Sequence, residues 1–158
     1  MKRDGVIFFL ENSTDYLFLL DQSFRRSQII NPLRVARYGN EAILYLKGVG
    51  IYSDRSHYPL PELIIIDLAL PDGSGLAVLG WIRRQTQFND VPVIILVDGY
   101  KNKNVQDAFD TGATAYYLKR DDFDGLARMV RSLESIRSVQ SDAQPRSSAL
   151  DEINTGPH

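Results

Sequence analysis

Four of the five short apolar segments in the sequence are followed by side chains that could bind a cation or a phosphoryl group. Glu11 and Asn12 follow the first segment, Asp67 the third, Asp98 the fourth and Lys119 the fifth. Magnesium takes oxygen ligands, commonly one or two carboxylates with water and phosphate, and a lysine beside them can neutralise phosphoryl charge. A single aspartate after a strand is most often a turn or cap residue. The prediction of a phosphoryl site therefore depends on these side chains sharing one edge of a sheet.

Strands and helices in regular alternation would bring these side chains together. Short apolar segments typical of buried strands lie at 6–10, 63–66, 91–97 and 115–118, and an alternating segment typical of a half-buried strand lies at 33–38. Between them, apolar residues recur at steps of three and four, which predicts helices. The alternation predicts an α/β fold with a doubly wound, five-stranded parallel sheet and helices on both faces. In such a sheet, functional residues gather at the carboxyl ends of the strands.

Capping residues indicate where three of the helices begin. Ser13 or Thr14 can cap the first helix, Asn40 the second, and Asp121 or Asp122 the last.

The second strand alternates between apolar and polar residues, so we expect it nearer the edge of the sheet than the fully apolar strands.

Length and composition restrict the classes of protein. A chain of 158 residues predicts one domain, and the absence of cysteine excludes a disulfide scaffold, a zinc–cysteine site and a catalytic thiol. The net charge of −2 gives no broad positive field, so neither nucleic acid nor a membrane is an expected partner. The apolar runs are too short for a membrane helix or a secretory signal, which predicts a cytoplasmic protein.

The C-terminal stretch differs in composition from the rest of the chain. We predict a domain over 5–137 and a polar tail over 138–158. In the tail Arg146 is the one basic residue against Asp142, Asp151 and Glu152, so the tail carries the net charge of the chain. A segment with so little apolar surface cannot offset its ordering entropy, and we expect disorder there.

Three stretches of the sequence resemble a known family. LIIIDLALPDGSG at 63–75 is similar to the phosphoacceptor strand and following loop of receiver domains from two-component response regulators. The residues at 91–96 and 112–119 resemble the fourth and fifth strands of the same domains. The resemblance covers about 5–137 and implies a flavodoxin-like sheet of order 2-1-3-4-5. The polar connection at 51–61 further resembles a stand-alone subgroup that partners bacterial phytochrome kinases.

The resemblance implies a role for each residue at the edge of the sheet. Asp67 would accept a phosphoryl group from a histidine kinase or a phosphotransfer protein, and Lys119 would contact that group. Tyr116 would be the aromatic side chain that changes position on activation. The implied Mg²⁺ ligands are the side chains of Glu11, Asn12 and Asp67 and the backbone carbonyl of Ala69. The chain would signal by protein contact, and it would not be an enzyme beyond its own phosphorylation and dephosphorylation.

Three positions depart from the usual pattern of the family. Asn12 stands where an acidic residue is usual, so we expect weaker Mg²⁺ binding unless Asp98 faces the pocket. Val97 stands where Ser or Thr is usual, and without a hydroxyl we expect phosphorylation to couple less strongly to Tyr116. Arg120 stands where a cis proline is usual. The peptide bond before Arg120 is therefore predicted to be trans, with a shifted loop after the fifth strand.

Other interpretations of the sequence stay open. The chain could be a pseudo-receiver, an interaction module of the same fold that acts without phosphorylation. A flavin-binding electron carrier of the same architecture is a remote alternative, because Ser13 and Thr14 resemble a phosphate-binding turn although Glu11 beside them repels phosphate. An additional hypothesis is a homodimer, whose face would be lined by Tyr117, Arg120 and Phe123.

Overall fold

Strands within the described residues form a single sheet in this computed structural model, which describes residues 5–99 and 103–142. The strands are β1 (Val6–Leu10), β2 (Leu33–Ala36), β3 (Pro61–Asp67), β4 (Val93–Val97) and β5 (Ala115–Leu118). All neighbouring strands are parallel, in the order β2-β1-β3-β4-β5. The expected five-stranded sheet of flavodoxin-like order is confirmed, and β2 lies at one edge as its alternating polarity indicated.

Helices cover both faces of this sheet. The α-helices of the described ranges are α1 (Thr14–Arg26), α2 (Gly39–Lys47), α3 (Gly75–Arg83), α4 (Lys103–Thr111) and α5 (Phe123–Asp142). Short 3-10 helices at Gly50–Ser53 and Thr86–Phe88 lie in the connections. α1 packs against α5 on one face, and α3 packs against both α2 and α4 on the other. This two-sided arrangement is the one that strictly alternating strands and helices predict.

The middle strands are buried from both sides. Phe8 and Ile64 belong to the core under α2, α3 and α4, whereas Phe9 and Ile65 belong to the core under α1 and α5. Successive residues of a strand point to opposite faces, so a strand covered on both faces is apolar throughout. Polar side chains are consequently confined to the ends of these strands, where the predicted site residues lie.

The first two helices begin in different ways. The predicted cap at Ser13 is confirmed, because its Oγ accepts a hydrogen bond from the backbone N–H of Tyr16 at 3.1 Å. The prediction that Asn40 caps α2 is wrong. Tyr38 already has the extended backbone of an N-cap, and Asn40 lies in the first turn, where its Oδ1 accepts from the N–H of Glu41 at 2.9 Å. Gly39, the first residue of the helix, approaches Ser74 so closely that a Cβ there would lie 2.6 Å from the Ser74 side chain.

α5 begins at a side-chain cap. Asp122, one of the two predicted caps, accepts a hydrogen bond on Oδ1 from the N–H of Gly125 at 2.6 Å. The helix is described as far as Asp142, and thus includes 138–142 of the predicted tail. The rest of the predicted tail, 143–158, lies outside the described residues. Among the helices of the described ranges, none combines the length and the apolar character needed to span a membrane.

One arginine and three tyrosines organise the connection between α2 and β3. Arg55 donates hydrogen bonds to the carbonyls of Tyr45, Leu46 and Tyr58 at 2.8–3.0 Å, so it satisfies acceptors at the end of α2. The rings of Tyr45, Tyr52 and Tyr58 pack within 6.0 Å of one another. They line part of a cavity of about 190 Å³ beside β2. The connection that the sequence predicts as a polar loop therefore covers the edge of the core.

Candidate functional site

Three charged side chains meet at the carboxyl edge of the sheet. Lys119 Nζ donates hydrogen bonds to Glu11 Oε1 at 2.8 Å and to Asp67 Oδ2 at 2.9 Å. The backbone N–H of Lys119 also donates to the carbonyl of Val97 at 2.9 Å, which continues the pairing of β5 with β4 up to the lysine. The structure thus brings together the two carboxylates and the lysine for which the sequence predicts phosphoryl chemistry.

Asp67 is held by the backbone that follows it. The residue is 2% exposed, and its Oδ1 accepts a hydrogen bond from the N–H of Ala69 at 2.8 Å. The first residue of α3, Gly75, approaches so closely that a Cβ there would lie 2.7 Å from the Asp67 carbonyl oxygen. One carboxylate oxygen is therefore fixed by the loop, and the other faces Lys119.

Glu11 is a buried carboxylate in which one of the two oxygens is hydrogen-bonded. It is fully buried, and its Oε1 accepts from the N–H of Ser13 at 3.0 Å as well as from Lys119. Its Oε2 is buried and has no hydrogen-bond partner among the described residues. Burial raises the pKa of Glu11, the neighbouring charge of Asp67 adds to the rise, and the hydrogen bonds from Lys119 and Ser13 oppose it. An oxygen in this state is a favourable ligand for a cation.

Lys119 stays charged in this pocket although it is largely buried. Burial by itself lowers the pKa of Lys119, but the hydrogen bonds to Glu11 and Asp67 outweigh it and the pKa is raised. Nζ also lies 4.8 Å from the centroid of the Tyr16 ring. Tyr16 was not among the predicted site residues. The cap at Ser13 could have indicated it, since that cap places Tyr16 in the first turn of a helix that begins at this edge.

Asn12 and Ala69 lie beside the charged cluster. The Asn12 side-chain amide donates to the carbonyl of Arg37 at 3.4 Å, and the Arg37 guanidinium donates to the Asn12 backbone carbonyl at 2.9 Å. The Asn12 side chain is therefore directed towards the end of β2. Ala69 contributes its N–H to Asp67 and is otherwise exposed. Arg37 is a second neighbour of the site that the sequence analysis does not identify.

Asp98 lies outside the cluster. Its side chain is exposed, and it makes no ion pair with Lys119 in the part of the chain that the structure describes. Across residues 5–99 and 103–142, no group of three or more His, Cys, Asp or Glu side chains could together hold a metal ion. The acidic charge of the pocket thus comes from Glu11 and Asp67.

Val97 and Tyr116 share the core under α2, α3 and α4. Val97 is the last residue of β4 and is 2% exposed. Tyr116 is half-buried, and its ring meets that of Phe109 in α4 edge-on at a centroid distance of 5.6 Å. Val97 has no polar side-chain atom at this end of β4.

The loop from β5 to α5 is held by a tyrosine. No peptide bond in the described ranges is cis, so the bond before Arg120 is trans as predicted. The Tyr117 hydroxyl donates to the carbonyl of Asp122 at 2.7 Å. A Cβ at Gly125 would clash with that hydroxyl, so a larger residue there would require the Tyr117 ring to shift.

The face expected for a homodimer is mostly packed. Tyr117 and Phe123 are half-buried against the core under α1 and α5, and the Phe123 ring contacts that of Tyr16 at 5.1 Å. Of the three predicted residues, Arg120 alone is exposed. The homodimer stays a hypothesis, and two of its three proposed residues contribute little free apolar surface.

Comparison with known proteins shows that the chain matches a protein family. The model of the family described as "Response regulator receiver domain" matches residues 7–131. Response regulator Rcp1 from Synechocystis sp. (strain ATCC 27184 / PCC 6803 / Kazusa) is 28% identical over 130 residues, which cover 82% of this chain and 86% of Rcp1. The crystal structure of the Mn(2+)-bound form of Rcp1 matches with a TM-score of 0.68, over 83% of this chain and 92% of that one.

Two further crystal structures are similar to this chain over most of their length. Response regulator RPA3017, described in red light signaling of R. palustris, is 25% identical with a TM-score of 0.72, over 82% of this chain and 90% of RPA3017. The phosphorylated cyanobacterial phytochrome response regulator RcpA is 25% identical with a TM-score of 0.70, over 84% of this chain and 92% of RcpA.

Proposed function

Because the chain belongs to the response regulator receiver domain family, we propose that it accepts a phosphoryl group on Asp67 from a histidine kinase or a phosphotransfer protein. The observation that carries the proposal is the Lys119 ammonium, 2.9 Å from Asp67 Oδ2, in a pocket whose other carboxylate is buried. The description of RcpA as phosphorylated supports the same chemistry here. Receiver domains are signalling proteins, and we propose that this one signals by contact with a protein partner.

The proposed transfer exchanges one bond to phosphorus for another. A carboxylate oxygen of Asp67 forms a P–O bond as the P–N bond of a phosphohistidine breaks. The electron pair of that bond returns to the ring nitrogen, and because the other ring nitrogen of the phosphohistidine carries a proton, the ring leaves as neutral imidazole. Lys119, already directed at Asp67, donates to a phosphoryl oxygen and stabilises its charge. The Ala69 N–H keeps the second carboxylate oxygen in place during the transfer.

The oxygens of the pocket fit a hard divalent cation. Glu11 Oε2 is buried without a hydrogen-bond partner in the described residues, which is unfavourable for a carboxylate unless a cation meets it. We propose Mg²⁺, held by the side chains of Glu11, Asn12 and Asp67 and by the carbonyl of Ala69. When bound, it supplies positive charge against the transferring phosphoryl group. The description of an Rcp1 structure as Mn(2+)-bound supports a divalent ion.

Intact-mass spectrometry tests the proposal directly. The purified protein is incubated with acetyl phosphate, with and without Mg²⁺, and we expect the mass of one phosphoryl group to be gained only when Mg²⁺ is present. Borohydride reduction converts an aspartyl phosphate to homoserine, so peptide mass then locates the modified residue. No gain in mass, or a label at a residue other than Asp67, would contradict the proposal.

Two observations favour the pseudo-receiver as the second candidate function. Val97 has no hydroxyl to bind a phosphoryl oxygen, and the Asn12 amide is directed at Arg37 rather than at Asp67. A folded protein that gains no phosphoryl mass would support this alternative. The flavin-binding alternative gains no support from the family or from the geometry of the site.

We predict that Asn12→Asp binds Mg²⁺ about tenfold more tightly than the wild type. The substitution adds a full negative charge beside Glu11 and Asp67, and a charge a few ångströms from a cation contributes about 1–4 kcal/mol in partly solvated surroundings. An aspartate also cannot donate to the Arg37 carbonyl, so its side chain is released from that contact. Isothermal titration with Mg²⁺ measures the change.

A matched control for Asn12→Asp is Asn40→Asp, which makes the same change of charge at an exposed position in the first turn of α2. We expect little effect on Mg²⁺ affinity from this variant. Equal gains from both substitutions would mean that net charge, and not a ligand at position 12, determines the affinity.

We predict that Val97→Thr strengthens the coupling between phosphorylation and Tyr116. A threonine hydroxyl at the end of β4 can donate to a phosphoryl oxygen, and a charge-assisted hydrogen bond contributes about 1.5–3 kcal/mol. NMR of the Tyr116 ring, with and without beryllofluoride as a phosphoryl analogue, measures the response. We expect a small spectral change in the wild type and a larger one in the variant. A wild-type response as large as that of Val97→Thr would show that the hydroxyl is not needed.

A further inference from the structure

The ring of Tyr16 lies against the ammonium group of Lys119. The distance from Nζ to the ring centroid is 4.8 Å, within the range in which an aromatic face attracts a cation. Two of the three ammonium protons are used by Glu11 Oε1 and Asp67 Oδ2. The ring therefore occupies a further side of a cation that is already bound by both carboxylates.

Two helices fix the ring of Tyr16 in this place. Its backbone N–H donates to the Oγ of Ser13 at 3.1 Å, which anchors it in the first turn of α1. Its ring contacts the ring of Phe123, the first residue of α5, at 5.1 Å. Burial raises the pKa of the Tyr16 phenol, so the ring stays neutral in the conditions of a phosphorylation assay. The ring is thus a rigid neutral surface between the helices that cover one face of the sheet.

The Lys119 side chain needs such a surface because its backbone lies far from Asp67. Its backbone follows the last residue of β5, while Asp67 ends β3, and β4 lies between these strands. The long, flexible side chain must therefore cross the end of a strand to reach Asp67. Without a contact on its open side, the ammonium could turn towards solvent, since 21% of the side chain is still exposed.

We propose that Tyr16 is a positioning residue for phosphoryl transfer, whose ring holds the Lys119 ammonium between Glu11 and Asp67. The inference rests on the proposed function of Asp67. Tyr16 forms and breaks no bond in the transfer: the P–O bond forms on Asp67, and the donor keeps the electron pair of its broken bond. Its contribution is to keep Lys119 directed at the place that the phosphoryl oxygens will occupy.

The test compares Tyr16→Leu, which removes the ring, with Tyr16→Phe, which keeps it. With acetyl phosphate and Mg²⁺ as the probe, we expect Tyr16→Leu to be phosphorylated about tenfold more slowly, which corresponds to about 1.4 kcal/mol. We expect Tyr16→Phe to restore most of the wild-type rate. Phe18→Leu is the matched control, because Phe18 is an exposed aromatic residue on the same helix and is far more accessible to solvent.

A second measurement reports the contact itself. The ring current of Tyr16 should shift the Lys119 side-chain protons upfield in the NMR spectrum of the wild type and of Tyr16→Phe, and the shift should be lost in Tyr16→Leu. Should Tyr16→Leu not fold, as judged by circular dichroism, Tyr16→Met fills a similar volume without a ring and takes its place.

The outcomes separate this inference from the proposed function. An unshifted Lys119 in the wild type, or a folded Tyr16→Leu that is phosphorylated as fast as the wild type, would overturn the role of Tyr16. A wild-type protein that takes up no phosphoryl group would overturn the proposed function instead. In that case the NMR comparison still decides whether Tyr16 positions Lys119.

Discussion

Asp67→Asn is expected to take up no phosphoryl group from acetyl phosphate under conditions in which the wild type is modified. An amide lacks the negative charge and the free nucleophilic lone pair that an aspartyl phosphate requires. The side chain keeps its size, and its oxygen can still accept from the Ala69 N–H as Asp67 Oδ1 does at 2.8 Å. Circular dichroism checks that the variant is folded, and intact-mass spectrometry then measures the loss.

Asp98→Asn is the matched control for this loss. Asp98 also follows an apolar strand, but it is exposed and makes no ion pair with Lys119 in the described residues. We expect its phosphorylation to equal that of the wild type. If Asp67→Asn gained the same mass as the wild type, the acceptor would be another residue and the proposed function would fail.

The order of the strands explains why the charged residues could be predicted from the sequence. Glu11, Asp67 and Lys119 each follow or end an apolar strand, and parallel strands bring their carboxyl ends to one edge. β1 is hydrogen-bonded to β3, so Glu11 and Asp67 are neighbours by topology alone. Lys119 is separated from Asp67 by β4, and its side chain is long enough to span that gap. No detail of side-chain packing was needed for these placements.

Side-chain direction explains what could not be predicted. Asn12 could point at the pocket or at Arg37, and the order of residues does not decide between them, whereas the structure directs its amide to the Arg37 carbonyl. The contact between Tyr16 and Lys119 depends on how α1 and α5 pack, because Phe123 supports the ring. Periodicity identifies the buried face of a helix, but it does not say which residues of two helices meet.

The starting residue of a helix was the other source of error. The prediction that Asn40 caps α2 relied on residue type, yet the extended backbone at Tyr38 starts the helix earlier. This error arises because the local backbone geometry, and not the residue type alone, determines where a helix begins.

Lys119→Met is expected to slow phosphorylation of Asp67 by about a hundredfold or more. Removing one preorganised group that stabilises transition-state charge lowers rates by about 10²–10³-fold, and the methionine keeps the apolar stem without the ammonium. The rate of phosphorylation by acetyl phosphate at saturating Mg²⁺ measures the effect. A variant within about threefold of the wild-type rate would contradict the assigned role of Lys119.

Lys119→Met is also expected to destabilise the fold, by about 3 kcal/mol at neutral pH in buffer without divalent metal. It leaves Glu11, which is 0% exposed, and Asp67, which is 2% exposed, without the cation that bridges them. Breaking a buried ion pair by removing one partner commonly lowers the free energy of unfolding by about 3–5 kcal/mol. Urea unfolding followed by circular dichroism measures it, and Lys47→Met, at an exposed lysine, should change stability by less than about 0.5 kcal/mol.

The pH dependence of this loss identifies its cause. Burial already raises the pKa of Glu11, and without the opposing hydrogen bond from Lys119 that pKa must rise further. A carboxyl group whose pKa is higher in the folded than in the unfolded state binds more protons when folded, so stability increases as the pH falls. The difference between Lys119→Met and the wild type should therefore be smaller near pH 5 than near pH 8. A difference that does not change with pH would mean that lost packing, and not two unpaired carboxylates, destabilises the variant.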